Sequence, residues 1–198
     1  MRKTIVTVTL ISAAIVTGMV SCFNSKADKP ATAAVSKDSL IKRGEYLVTI
    51  GGCDDCHSPK KMGPQGPEVD MEHRLSGYPA NRPFPKYDSN VVKKGLMLFN
   101  EDLTSAAGPW GVSFAANLTS DDTGLGNWSE AHFFKALREG KFKGLDGSRS
   151  LLPPMPWQNL GKMTDDDLKA VFAFLKSTKP VKNIVPGTRQ IAELALNH

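Results

Sequence analysis

Residues that bind metals or form crosslinks are scarce in this sequence. Among 198 residues there are only three cysteines and four histidines, namely Cys22, Cys53, Cys56, His57, His73, His132 and His198. A structural zinc site takes four ligands, usually from two Cys/His clusters. Only positions 53–57 form a cluster, and the other residues of these types are widely scattered. A zinc site is therefore disfavoured.

Long hydrophobic runs are also missing. The most apolar stretch, Ile5 to Val20, contains several threonines and serines and is shorter than the roughly 20 residues that a membrane span needs. It follows Arg2 and Lys3, which is the organisation of a cleaved export signal. Residues 1–21 are therefore predicted to be a signal peptide. Residues 22–37 show no sustained apolar period and are predicted to be a flexible tether.

The signal ends in Met19-Val20-Ser21-Cys22, which resembles the end of a bacterial lipoprotein signal. In such signals the cysteine becomes the lipid-bearing N-terminus, so Cys22 is the candidate lipidation residue. The alternative is a plain secretory signal with a spare cysteine, although an odd free thiol is unusual in an exported protein. An N-terminal lipid would hold the chain to the periplasmic side of a bacterial membrane.

The charge balance gives no indication of a nucleic-acid partner. The formal net charge is +5, and removal of Arg2 and Lys3 with the signal lowers it to +3. Such a mildly basic balance is too small to indicate an electrostatic footprint for nucleic acid. Nucleic acid is therefore not expected among the partners.

The chain is organised around the motif Cys53-Asp54-Asp55-Cys56-His57. Two thiols three positions apart, followed directly by a histidine, suit covalent capture of a haem, because each sulfur can add to one vinyl group while the histidine reaches the iron. The same string also occurs in zinc sites and in thioredoxin-like redox pairs. A redox pair should follow a strand in a βαβ unit, whereas Gly51 and Gly52 precede this motif and its surroundings suggest helix. The motif therefore predicts one covalent haem c.

A haem held by His57 needs an acceptor for the other ring nitrogen and a ligand on its opposite face. We expect a backbone carbonyl as the acceptor, with Pro64 and Pro67 as candidates. Met155 is the candidate second ligand, because the prolines of residues 151–157 preset a rigid, extended backbone. A thioether there makes an electron carrier, whereas an open position permits small-ligand binding or peroxide chemistry. The alternative is a proline-rich loop in which Met155 only fills space.

Apolar residues recur at helical spacing in three places, which predicts three main helices, at 38–50, at 128–139 and from about Thr164 to Lys179. The first has a cap at residue 38 or 39 and contains Gly44, which predicts close approach of a second helix. Ser129 caps the second helix, and Thr164 caps the third in a capping box with Asp167. A short helix is also expected at 189–196, within a C-terminal extension that covers 181–198.

Residues 58–117 are rich in proline and glycine. The prolines are Pro59, Pro64, Pro67, Pro79, Pro83, Pro85 and Pro109. A loop of this length without secondary structure is unusual in a compact domain. We therefore expect a β-hairpin, with strands at 96–99 and 112–115 around a connection at 100–111.

These features together resemble class I cytochromes c. In more detail, residues 117–121 (Asn-Leu-Thr-Ser-Asp), 124–130 (Gly-Leu-Gly-Asn-Trp-Ser-Glu), the Met155 loop and 163–168 resemble the haem domains in cytochrome subunits of bacterial membrane-bound alcohol and sugar-acid dehydrogenases. The resemblance covers about residues 40–180. It implies covalent haem through Cys53 and Cys56, axial ligation by His57 and Met155, and packing of the first helix on the last. In that packing Gly44 would face Val171 and Phe174.

The fold implied by the resemblance is mainly α, a cytochrome c-like helical haem domain at 38–180 with a long loop and β-hairpin insertion at 58–117. This sequence has one C-x-x-C-H motif where those subunits carry several, which predicts a single haem. The 98 positions from His57 to Met155 exceed what compact cytochromes need, so the insertion is expected to cover part of the haem.

The leading functional hypothesis is a periplasmic monohaem electron carrier that is not an enzyme. Its partners would be redox proteins, a dehydrogenase or a terminal oxidase or both, and a membrane reached through the N-terminal lipid. One alternative is a haem peroxidase or small-ligand sensor in which Met155 is absent from the iron or displaceable. Another is the haem subunit of a membrane-bound dehydrogenase complex.

Overall fold

The computed structural model describes residues 36–194. The helices are α1 (Lys37–Ile50), α2 (Cys53–His57), α3 (Ser89–Lys93), α4 (Glu130–Arg138), α5 (Trp157–Leu160), α6 (Asp165–Ser177) and α7 (Ile191–Leu194), with a 3-10 turn at Phe142–Gly144. The strands are β1 (Lys60–Gly63), β2 (Gly66–Val69), β3 (Leu98–Phe99), β4 (Ser105–Gly108) and β5 (Gly111–Phe114). The predicted signal peptide, the lipidation candidate Cys22 and nearly all of the predicted tether lie outside the described residues.

The three helices predicted from apolar spacing are present as α1, α4 and α6. The Ser129 side chain accepts from the backbone N–H three residues later and caps α4. Thr164 caps α6 by accepting from Asp167 N, so both predicted caps are confirmed. The predicted cap of α1 is wrong, because α1 begins one residue earlier and Ser36 accepts from Ser39 N. The short helix expected near the C-terminus is present as α7.

Helix α1 packs directly on α6 at Gly44. A Cβ atom at this position would lie 1.9 Å from Ala170 O and 2.7 Å from Phe174 Cβ. Real Cβ atoms do not approach other atoms so closely, so only glycine fits here. The predicted close approach and the predicted neighbour Phe174 are confirmed, and Ala170, one residue before the predicted Val171, is the nearest residue.

Two small antiparallel sheets lie in residues 58–117, the segment predicted above to be an insertion and called the insertion below. Strands β1 and β2 form a hairpin, and β3, β4 and β5 form a three-stranded meander. The predicted pairing of 96–99 with 112–115 is wrong, because both outer strands pair with β4, which lies inside the predicted connection. Strand β4 is buried and contains serine, alanine and glycine, so it lacks the β-branched and aromatic residues that indicate a strand in sequence.

Residues 36–194 combine helices with strands, at 35% helical and 13% strand. The predicted mainly α class is therefore not confirmed. The five strands found within residues 36–194 all lie in the insertion, where closely spaced prolines and glycines exclude long helices. Apart from the short α3, the helices of the described residues lie before or after this segment along the chain.

Within the described part of the chain, most of the buried apolar side chains fall into two hydrophobic clusters. The larger cluster consists of Leu47, Val48, Leu75, Leu125, Phe133, Leu137, Leu168, Ala170, Val171, Phe174 and Leu175, and it joins α1, α4 and α6. The smaller consists of Tyr87, Val92, Ala107 and Val112 and lies in the insertion. None of the helices within residues 36–194 has both the length and the apolar character that crossing a bilayer requires.

Candidate functional site

The two thiols and the histidine of the motif lie on one short helix, α2. Gly52 precedes it with a left-handed backbone (φ 68°), a conformation that favours glycine. Residues three and four positions apart share one face of a helix, so Cys53, Cys56 and His57 project to the same side. Both thiols are free and half-buried, and His57 is buried.

Both thiols of α2 are protonated at neutral pH. Burial, reinforced by the charge of Asp54, raises the pKa of Cys53 to about 11. Burial also raises the pKa of Cys56, against the opposing charge of Lys60. A thioredoxin-like redox cysteine needs a lowered pKa, because the thiolate is the nucleophile. The surroundings of these thiols therefore do not favour the redox-pair interpretation.

The imidazole of His57 is held in one orientation by the backbone. Its Nδ1 atom lies 2.7 Å from Ala116 O. Because a carbonyl oxygen only accepts, Nδ1 carries the proton and the lone pair of the neutral ring is on Nε2. Burial lowers the pKa of His57, outweighing the opposite effects of the Ala116 hydrogen bond and the Asp54 charge. The ring is therefore in the neutral form that binds metals.

The hydrogen-bond acceptor of His57 is a backbone carbonyl, which confirms the prediction. The residues predicted to supply this carbonyl, Pro64 and Pro67, are wrong. Pro64 lies in the turn of the β1–β2 hairpin and Pro67 lies in β2, and both are exposed. The acceptor Ala116 comes 59 residues after His57, where the insertion ends. A backbone acceptor has no side-chain signature, so sequence reasoning had no means of finding it.

Two segments, residues 75–78 and 115–118, pair with each other and place the Ala116 carbonyl; we call them the carbonyl segments. Their hydrogen bonds run from Tyr78 N to Ala115 O (3.0 Å) and from Leu118 N to Leu75 O (2.8 Å). Gly77 N also donates to His57 O (2.7 Å). Gly77 has a φ of 77°, and a Cβ atom there would lie 2.4 Å from Ala115 O. Glycine therefore permits the close contact that brings Ala116 O to the imidazole.

A polar network anchors α2 to the carbonyl segments. Arg74 donates to Asp54 through Nε (3.0 Å to Oδ1) and Nη2 (2.9 Å to Oδ2), and to Glu45 of α1 through Nη1 (3.0 Å). Ser58 Oγ donates to Asp54 Oδ1 (2.7 Å) and accepts from Leu75 N (2.8 Å). Burial opposes ionisation of Asp54, but the hydrogen bonds from Arg74 and Ser58 outweigh it and lower the pKa. Sequence reasoning missed this network, because its hydrogen-bonded partners lie up to 29 residues apart without a shared pattern.

Met155 lies on the loop that precedes α5. It is half-buried and packs against the larger hydrophobic cluster, as Cys53 also does. Ser113 Oγ donates to Pro153 O (2.7 Å) and ties β5 to this loop. The predicted site residues thus lie in two places, with Cys53, Cys56 and His57 on α2 and Met155 on the loop.

A different group of potential ligands consists of Asp70, Glu72 and His73. Their ligand atoms lie within 4.8 Å of one another, and this is the one such group in the described part of the chain. Asp70 accepts from Lys61 Nζ (2.8 Å) through Oδ1 and from His73 Nδ1 (2.7 Å) through Oδ2. Both carboxylate oxygens of Asp70 therefore already have partners within the protein.

The sequence is similar to components of several bacterial dehydrogenases. It is 32% identical to the gluconate 2-dehydrogenase cytochrome c subunit of Pantoea cypripedii over 148 residues, 74% of this chain and 25% of that protein. It is 30% identical to the cytochrome c subunit of alcohol dehydrogenase (quinone) of Gluconobacter oxydans over 146 residues, 73% of this chain and 23% of that protein. It is also 27% identical to the fructose dehydrogenase cytochrome subunit of Gluconobacter japonicus over 163 residues, 81% of this chain and 26% of that protein.

No protein-family model matches the chain. The chain spans about a quarter of the length of these relatives, whereas the aligned region covers about three quarters or more of the chain itself. The resemblance seen in the motifs is confirmed: the chain is homologous to a segment of the cytochrome c subunits of bacterial gluconate, alcohol and fructose dehydrogenases.

Proposed function

We propose that this protein is an electron carrier that holds one haem c, bound covalently through Cys53 and Cys56, with His57 as an axial ligand. When bound, haem c supplies reversible one-electron chemistry at its iron. The chain contributes the two thioether links, an oriented imidazole and apolar surroundings. Its relationship to cytochrome c subunits supports a role in electron transfer rather than catalysis.

The observation that carries the proposal is the hydrogen bond from His57 Nδ1 to Ala116 O (2.7 Å). A metal-binding histidine typically donates its other ring N–H to a backbone carbonyl or a carboxylate, which fixes the tautomer and raises ligand basicity. His57 is buried and neutral, so Nε2 is available to iron. On the same helix face, Cys53 and Cys56 supply the thiols for addition to the vinyl groups. The donor set therefore fits a covalently attached haem.

We assign the second axial position to Met155. The support is its place on a loop held by Ser113 and packed against the same hydrophobic cluster as Cys53. A thioether ligand raises the reduction potential and closes the iron to small molecules. In this arrangement the protein stores and releases an electron without making or breaking a substrate bond.

The location and the partners follow from the signal and from the relatives. We propose export to the periplasm and attachment to the membrane through a lipid on Cys22. The relatives are subunits of dehydrogenases, so a dehydrogenase is the proposed electron donor, and a terminal oxidase is the proposed acceptor. The second candidate function, a haem subunit within a dehydrogenase complex, is favoured by the same relatives and differs only in whether the partner stays bound.

The proposal is tested by haem attachment and redox titration of the exported protein. We compare wild type with Cys53→Ser and Cys56→Ser. The control is Cys22→Ser, which also removes one cysteine but leaves the motif intact. Mass spectrometry of the denatured chain should show one haem in wild type and in Cys22→Ser, and incomplete or no attachment in the other two variants. Titration of wild type should give one reversible one-electron transition. A chain that folds without covalent haem, or binds zinc instead, would contradict the proposal.

A further inference from the structure

The residues that follow α6 lie along the carbonyl segments. Asn117 Nδ2 donates to Val181 O (2.8 Å), and Val181 N donates to Thr119 Oγ1 (3.2 Å). Residues 178–183 are therefore bonded to the end of segment 115–118, the segment that presents the Ala116 carbonyl.

Two residues later, the side chain of Asn183 holds the other carbonyl segment. Its Nδ2 donates to Ser76 O (2.7 Å) and Tyr78 O (2.9 Å), and its Oδ1 accepts from Ala80 N (2.8 Å). Both amide protons and the amide oxygen are therefore used. The two carbonyls that Asn183 binds flank Gly77, which donates to His57 O.

These contacts connect Asn183 to the imidazole of His57 through hydrogen bonds and the short stretches of backbone between them. Asn183 fixes residues 76–80, these pair with residues 115–118, and Ala116 O of that segment accepts from His57 Nδ1. None of these hydrogen bonds joins Asn183 directly to His57, so Asn183 acts through the backbone that lies between them.

We propose that Asn183 is a positioning residue for the His57 ligand, an inference that rests on the proposed function. By holding the carbonyl segments in register, it keeps the Ala116 carbonyl close to Nδ1. A strong Nδ1–H···O bond makes the imidazole a more basic ligand, which favours the oxidised iron. The residues after α6 therefore help to set the reduction potential.

The experiment measures the full-length haem-loaded protein in four variants. Asn183→Ala removes all three side-chain hydrogen bonds, and Asn183→Asp keeps the shape and the Ala80 bond but loses both donors. Ile184→Ala, at a side chain in the same segment that is 70% exposed, controls for local substitution. Thr164→Ala removes the α6 cap and controls for lowered stability. The readouts are the reduction potential and the solvent-exchange rate of the His57 Nδ1 proton by NMR.

Asn183→Ala should raise the reduction potential, and both Asn183 variants should speed the exchange of the Nδ1 proton by about fivefold, the factor expected from one net hydrogen bond. The two controls should leave both readouts at the wild-type values. Where Asn183→Ala does not fold, the exchange rate in Asn183→Asp decides the question, because the added carboxylate charge itself favours the oxidised iron and lowers the potential. An unchanged potential in Asn183→Ala, or a wild-type exchange rate in the Asn183 variants, would overturn the inference.

The failure of this inference can be distinguished from the failure of the proposed function. In oxidised wild type, the ring protons of His57 should carry the large paramagnetic shifts of an iron ligand. If they do not, the proposed function is wrong whatever the Asn183 variants show. If they do and the Asn183 variants behave like Thr164→Ala, only the role of Asn183 is rejected.

Discussion

Arg74 and Asp54 form an ion pair with two parallel hydrogen bonds, and this pair joins α2 to the residue directly before segment 75–78. The distances are 3.0 Å from Nε to Oδ1 and 2.9 Å from Nη2 to Oδ2. The side chains are only 19% and 16% exposed. Such two-point geometry fixes orientation as well as distance, so α2 and the start of segment 75–78 behave as one unit.

Loss of this pair should destabilise the protein clearly. Arg74→Gln leaves the carboxylate of Asp54 without its cation in a mostly buried site, and we expect the free energy of unfolding to fall by about 2 kcal/mol. Arg43→Gln is the matched control, because Arg43 is 52% exposed in its pair with Asp167, and exposed pairs contribute about 0.5 kcal/mol. Urea unfolding measures both. Equal losses in the two variants would contradict the structural role assigned to Arg74.

The contact between α1 and α6 should not tolerate a side chain at Gly44. Alanine would place Cβ 1.9 Å from Ala170 O, so the helices must separate, and overpacking of this kind costs about 2 kcal/mol even after the gain in helix propensity. Gly187→Ala is the control, since no atom lies within 4 Å of a Cβ atom there. Thermal unfolding should show a lower Tm for Gly44→Ala only. An unchanged Tm would mean that the helices do not meet at this point.

Asp102 should make stability depend on pH. Its side chain is 3% exposed and accepts from Arg82 Nη1 (2.7 Å) and Thr104 Oγ1 (2.6 Å). Burial opposes ionisation, but the hydrogen bonds from Thr104 and Arg82 outweigh it and hold the pKa of Asp102 below its usual range. A carboxylate with a lowered pKa stabilises the fold above its unfolded pKa of about 4, and this contribution is lost as the pH falls through the folded pKa.

We therefore expect Asp102→Asn to lower the free energy of unfolding by about 2 kcal/mol at pH 7, with the difference from wild type shrinking below about pH 4. Urea unfolding at a series of pH values gives this difference directly. Asp166→Asn, at a side chain that is 96% exposed, should differ little from wild type at every pH. A difference for Asp102→Asn that stays constant with pH would contradict the assignment.

The Ser113 hydrogen bond should control how firmly the Met155 loop is held. Ser113→Ala removes the bond to Pro153 O (2.7 Å), so the proposed ligand Met155 should leave the iron more easily. We expect imidazole to bind the oxidised protein about fivefold more tightly, the effect of one net hydrogen bond. Ser148→Ala, which removes a bond within an exposed turn, is the control. Equal imidazole affinity in Ser113→Ala and wild type would argue against a role of the Ser113–Pro153 hydrogen bond in holding the loop.

The helices, the close approach at Gly44 and the type of partner for His57 could be predicted from sequence. Ser129 and Thr164 are caps whose side chains act on backbone groups only three residues away, so local pattern was enough. Gly44 interrupts a helix that would otherwise favour alanine, which indicated a packing constraint. The geometry of the α2 face likewise follows from the spacing of the motif alone.

Strands β3 and β5 overlap the predicted strands, but strands β1, β2 and β4 and the supports of the site could not be predicted, because their signals are not local. Strands β1 and β2 have their central residues exposed, so they show no alternation of apolar and polar residues. The Ala116 carbonyl is a backbone group, and Asn183 reaches residues 76–80 across more than 100 positions. Only the folded chain brings these groups together.

The claim that the protein is an electron carrier depends most directly on Met155. We would record optical spectra of the haem-loaded protein, oxidised and reduced, with and without carbon monoxide, for wild type, Met155→Ala and the control Met71→Ala, whose side chain is 68% exposed. Wild type and Met71→Ala should be low-spin and should not bind carbon monoxide, whereas Met155→Ala should bind it readily. A high-spin wild type that binds carbon monoxide would contradict the account and would favour a sensor or a peroxidase.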